Sequence, residues 1–173
     1  MVIDSEGRVL KDSKLSDAYK RDFTAAEVVR NPYFVTGSVC FRNNLFETPP
    51  EAFQVFNGDT FLFSCLGLYG KAKYLGEEIK PSCYRIYAGG IWSQLDRVNR
   101  LQNASETYHQ MSVYYRRIGK KQYANFCRAV SLSQKSKAYY HQGNIREGRR
   151  YLLQALAIRP WSLSLWRTLL SGF

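Results

Sequence analysis

Hydrophobic and polar positions change rhythm twice along the chain. Val2 and Ile3, then a polar Asp-Ser-Glu-Gly stretch, then Val9 and Leu10 form a short hairpin pattern. "KLSDAYKRDFTAAEVVRNP" reads as a short helical stretch. Thr24 sits where an N-cap belongs, Glu27 is its capping-box partner, and Pro32 ends the run. "YFVTGSVCF" is rich in β-branched and aromatic residues, and predicts a buried strand interrupted at Gly37. Pro49-Pro50 forces an extended entry into "PEAF", a single helical turn. "DTFLFSCLGLYG" is apolar on nearly every face. Periodicity leaves strand and helix open, and length with Gly70 as a C′ residue favours a helix. "AKYLGEEIKPSCYRIY" predicts strand, turn and strand, a βαβ-like tail of an α/β domain.

From Gln94 the rhythm is helical. Leu95, Val98, Leu101, Ser105, Tyr108, Ser112 and Tyr115 recur at steps of three and four. Gly119 stops this helix. A second follows to Gly143, and a third runs from an Asn144 cap to Pro160. A short fourth lies in "WSLSLWRTLLSGF". "AYYHQGNIREGRRYLLQALAIRP" resembles one tetratricopeptide-type helix pair. One such unit cannot bury its own face, and no second copy follows at that period.

Charge divides the chain at the same place. Residues 1–93 carry eleven Lys/Arg and eleven Asp/Glu, while residues 94–173 carry fourteen against three, which is the whole net charge of +11. Two modules are therefore expected, 1–93 and 94–173. No apolar run approaches the roughly 20 residues that cross a bilayer. The N-terminus lacks the pattern of a secretory signal. Cys40, Cys65, Cys83 and Cys127 have no C-x-x-C spacing, and only His109 and His141 accompany them. Reduced, mostly packed thiols in a cytoplasmic protein are expected, without a zinc site.

Candidate chemistry starts at Asp59. At the head of an apolar run it is either a helix N-cap or a general base able to take a proton from an attacking hydroxyl. About 25 residues on comes "YRIYAGGIWS". "NGD", then "GKAKYLGE", then "YRIYAGGIWS", with "TGSVCFRN" upstream, resembles the acceptor half of the family-2 glycosyltransferases. These are inverting enzymes of the nucleotide-diphospho-sugar transferase (GT-A) fold. The resemblance covers residues 2–93 and implies a partial GT-A-type α/β subdomain followed by an all-α extension. It implies Asp59 as the catalytic base, with Gly58 beside it.

The second motif offers Arg85, Tyr87, Gly89, Gly90 and Trp92 to substrate. Arg85 either steadies diphosphate charge or pairs with a structural carboxylate, and the structural role has the edge. Gly89 and Gly90 form either a closing loop or a simple turn. Trp92 either stacks on a sugar or packs, and Ser93 caps the next helix. Tyr87 stands where the family often has a histidine that assists the metal-diphosphate. Tyrosine donates to phosphate but is a poor ligand for Mg²⁺ or Mn²⁺.

The family's divalent metal is expected, but the opening strand and Asp-x-Asp of the donor half have no counterpart in these residues. The resemblance thus implies a nucleotide-sugar donor, a glycan or lipid-linked acceptor, and a partner chain or missing segment that supplies the donor side. The chain alone is expected to be inactive. Arg116-Arg117, Lys120-Lys121, Arg146 and Arg149-Arg150 cluster near helix ends. They form a solvated cationic face, or draw the protein to the anionic inner membrane surface. A basic helical module for protein or membrane binding is the non-catalytic alternative. Nucleic acid ranks below it, because Tyr114, Tyr115, Tyr139, Tyr140 and Tyr151 fall on apolar helical positions.

Overall fold

The computed structural model describes residues 1–30, 34–76, 78–79, 82–91 and 93–171. It is mixed α/β and mostly helical, with a three-stranded sheet and six α-helices among the described residues. It resolves into two compact units. One comprises Met1–Glu47 and Leu62–Leu95, the other Thr48–Phe61 and Asp96–Phe173. The later boundary falls two residues from the change in charge and rhythm. The expected division at 93/94 leaves out residues 48–61, which cluster with the helices.

In the sheet unit, β1 (Val2–Ile3) lies between β2 (Val9–Lys11) and β3 (Tyr84–Arg85). β1 and β2 are antiparallel, pairing Val2 with Lys11 and Ile3 with Val9. Asp4 builds the turn between them, its Oδ1 accepting the Glu6 and Arg8 amides at 2.9 Å each. β1 and β3 run parallel, with the Tyr84 amide on Met1 O and the Ile86 amide on Ile3 O. Of the strand, turn and strand expected over "AKYLGEEIKPSCYRIY", only the second strand forms, as β3. The strand predicted in "AKYLGEEI" is reduced to one bridge, Phe23 with Ala72.

Helix α1 (Ala25–Arg30) carries the predicted capping box. Thr24 Oγ1 accepts the Glu27 amide at 3.3 Å, and Glu27 Oε2 accepts the Thr24 amide at 2.9 Å. Pro32 lies outside the described residues. The predicted strand in "YFVTGSVCF" is not formed by its described part. Thr36–Ser38 makes a 3-10 turn, closed by Ser38 Oγ on Val35 O at 2.7 Å. The turn signals of Gly37 and Ser38 outweigh β-propensity here, because no strand among the described residues pairs with this stretch. Phe34 packs edge-on against Phe23 and Phe63 instead.

Helix α2 (Gly58–Leu66) settles the strand-or-helix choice in favour of helix. It ends before Gly67, not at Gly70. A Cβ at Gly67 would stand 2.6 Å from the Val29 amide nitrogen, so only glycine permits this approach to α1. Ser64 Oγ seals the contact by donating to Val29 O at 2.7 Å.

The helical unit contains α3 (Arg97–Arg117), α4 (Lys121–His141), α5 (Ile145–Ile158) and α6 (Leu163–Ser171), each packed on the one before. Gly119 and Gly143 follow α3 and α4 with φ of +75° and +78°, the left-handed region that a helix stop favours. The cap of α3 is Asp96, which accepts the Asn99 amide at 2.7 Å. The predicted cap, Ser93, lies in the preceding turn. Asn144 caps α5 as expected.

Small residues set the helix spacing. Ser105 Oγ donates to Ser131 O between α3 and α4, and Ser136 Oγ donates to Gly148 O between α4 and α5. A Cβ on Gly148 would meet the Tyr140 ring at 3.0 Å. Leu132, Leu152, Ala155, Leu156 and Leu165 form one apolar cluster across α4, α5 and α6. Cys65 and Cys127 are buried, but Cys40 and Cys83 are exposed free thiols, so only half of the cysteines are packed.

Candidate functional site

The Asn57 carbonyl accepts the Phe61 amide at 3.2 Å, which makes Asn57 the cap position and Gly58 and Asp59 the first helical residues of α2. Asp59 is therefore not the N-cap. Its Oδ1 accepts the Thr60 amide at 2.7 Å, which satisfies one of the unpaired donors of the first turn. Asn57 is buried, and its Oδ1 has no hydrogen-bond partner among the described residues. Gly58 has open space beside it: a Cβ would find only Ala52 O, at 3.8 Å. The bond to Thr60 engages Oδ1 of Asp59, and the side chain is half-buried.

The short turn before α2, Pro50–Gln54, is held by a long-range ion pair absent from the sequence reading. Arg117 Nε and Nη2 reach Glu51 Oε1 and Oε2 at 2.8 and 2.9 Å, a two-pronged contact. The guanidinium beside it lowers the pKa of the buried Glu51 carboxyl. Phe61 packs against Tyr114 at 5.7 Å, so both ends of the 48–61 segment are fastened to α3. Glu51 and Arg117 are 66 positions apart, and neither position carried a sequence signal that they would pair.

The second motif lies in the sheet unit. Arg85 on β3 donates to Ser5 O at 2.8 Å, a backbone contact in place of the expected structural carboxylate. Tyr87 is exposed. Tyr87 to Gly90 close a turn, with the Gly90 amide on Tyr87 O at 3.0 Å and the Ser93 amide on Gly90 O at 2.9 Å. A Cβ on Gly89 would press the Tyr87 ring at 3.0 Å, and one on Gly90 would meet Ser93 Oγ at 3.2 Å. Both glycines therefore keep this turn narrow. Trp92 lies outside the described residues. Asp59 belongs to the helical unit and Arg85, Tyr87, Gly89 and Gly90 to the sheet unit.

Among the described residues no group of three His, Cys, Asp or Glu side chains could hold a metal ion. Among the described residues no helix is long and apolar enough to cross a membrane. Of the basic clusters, Arg117 is committed to Glu51, and Arg150 pairs with Glu147 at 2.9 Å. Tyr114 and Tyr115 are core side chains, while Tyr139 and Tyr151 stack on each other at 5.3 Å. No family model, no curated protein and no solved structure matches this chain.

Proposed function

We propose that the chain forms the acceptor side of an inverting glycosyltransferase, with Asp59 as the base that takes the proton from the acceptor hydroxyl. The observation that supports this reading is the position of Asp59. It stands one residue inside the start of α2, past the cap, with its carboxylate anchored by Oδ1 to the Thr60 amide. A base so held is oriented by its own helix and need not be reorganised when the proton moves. The hydroxyl then attacks the anomeric carbon from the face opposite the departing nucleoside diphosphate, which gives inversion. The divalent metal of such reactions neutralises the leaving diphosphate. Its main ligands would come from the donor side.

The test is a panel of nucleoside diphosphate sugars with Mg²⁺ or Mn²⁺, read by release of nucleoside diphosphate. The chain is assayed alone and together with the polypeptide encoded next to it. Release is expected only with the second polypeptide present, and Asp59→Asn should lower it by roughly 10²–10⁴-fold. Turnover by the chain alone would refute the need for a separate donor side. Unchanged turnover in Asp59→Asn would refute the role of the base.

A further inference from the structure

A second concave site lies wholly within the helical unit and is independent of Asp59. One face of α3 and one residue of α4 line an open groove of about 620 Å³: His109, Ser112, Val113, Arg116, Arg117 and Arg128. Small-molecule sites span about 300–1,000 Å³, so the size suits a compact ligand. Three of the six lining residues are arginines and none is a carboxylate.

The arginines have different commitments. Arg117 is neutralised by its two-pronged pair with Glu51. Arg128 spends one N–H on a neutral partner, with Nη1 at 3.0 Å from His109 Nδ1. A guanidinium has no acceptor, so this contact requires an unprotonated Nδ1 and leaves the imidazole N–H at Nε2. His109 thereby fixes Arg128 without cancelling its charge. Arg116, one α3 turn beyond Ser112 and Val113, is exposed, and no ion pair to it occurs among the described residues. Ser112 is 3% exposed yet lines the groove, and no hydrogen bond engages its hydroxyl among the described residues. Two uncompensated guanidinium forks, an oriented imidazole and a hydroxyl donor converge on one concavity. A solvated cationic face needs no such orientation, and a phosphoryl group, with its several acceptor oxygens, uses all four.

We infer that the groove between α3 and α4 is a binding site for a phosphate or diphosphate group, held by Arg116 and Arg128, with Arg128 positioned by His109. The group could arrive on a soluble phosphorylated molecule or on a lipid headgroup, and the experiment separates these sources. Inorganic pyrophosphate is titrated into the full chain by calorimetry at about 0.15 M salt, where exposed charges are largely screened. One-site saturable binding is expected. Arg128→Gln and Arg116→Gln should each weaken it by roughly tenfold or more, as loss of a charged hydrogen-bond partner does.

Arg146→Gln, on the exposed start of α5 and outside the groove, should change it less than about twofold. Arg116 is exposed, so its variant keeps the test valid even if Arg128→Gln loosens the α3–α4 contact. Flotation with phosphatidylglycerol vesicles is run in parallel. Vesicle binding that pyrophosphate displaces and Arg116→Gln abolishes assigns a lipid source. Pyrophosphate binding without flotation assigns a soluble one. Absence of saturable pyrophosphate binding, or equal weakening by all three variants, would overturn the site.

Discussion

The two units solve the same problem of burial by opposite means. The helical unit uses four consecutive elements, each packed on its predecessor, with serines and Gly148 letting backbones approach closely. Among these four helices the order is local: neighbours in sequence are neighbours in space. The sheet unit has strands of two or three residues and depends on distant partners. Ser64 with Val29, Phe23 with Ala72, Tyr74 with Asp22 and Arg85 with Ser5 each join segments 35 or more residues apart. Local contacts form at low entropic cost, whereas distant ones must first close a long loop. The helical unit is thus expected to be the more robust, and the sheet unit the first to open.

The largest test of this contrast is Leu152→Ala. Leu152 is fully buried in the α4–α6 cluster, and its truncation should cost about 2–5 kcal/mol. Amide exchange should rise across α4 to α6 but not in α1. Faster exchange spread evenly over both units would contradict their separate accounting.

Next is Gly67→Ala. The added methyl would press the Val29 backbone, and backbone cannot swing aside as a side-chain tip can. A loss of about 1–3 kcal/mol is expected, read as faster exchange in α1 and weakened Ser64–Val29 pairing. An unchanged unfolding midpoint would show that α1 and α2 are less tightly joined than the geometry requires.

Thr24→Ala should follow, at about 1 kcal/mol, by removing the cap of α1 while Glu27 stays in place. The smallest effect expected is a pH effect. Arg21 and the Thr24 amide together hold Glu27 down at about 2. Arg117 likewise lowers Glu51. A depressed carboxyl stabilises the fold above its unfolded value of about 4.3 and loses that contribution as pH falls through the folded value. Acid should therefore weaken the sheet unit at Glu27 between about pH 4.5 and about pH 2. Glu51→Gln should make the helical unit less acid-sensitive and lower its melting temperature near neutral pH. Identical acid unfolding of wild type and Glu51→Gln would deny the pair any part in folding.

The helices were legible because their signals are periodic and their stops are local. Gly119, Gly143 and the Asn144 cap mark boundaries that the structure keeps. The capping box at Thr24 and Glu27 was equally readable. Of the candidate site, the sequence placed Asp59 at a helix start and Tyr87 before paired glycines. It did not distinguish Asn57 from Asp59 as the cap, because both residue types cap well and only the first helical hydrogen bond decides.

The strand expected over residues 33–41 is not formed by its described part for a related reason. A β-branched, aromatic run becomes a strand only when a partner strand exists to pair with it, and Phe34 found two aromatic rings instead. By itself the sequence determined the stops of α3 and α4, the cap of α5 and the charge division, since each depends on residues a few positions apart. Tertiary structure alone decided that residues 48–61 join the helices, that Glu51 receives Arg117, and that His109 and Arg128 meet. Those contacts join residues with no local pattern in common, and only packing can bring them together.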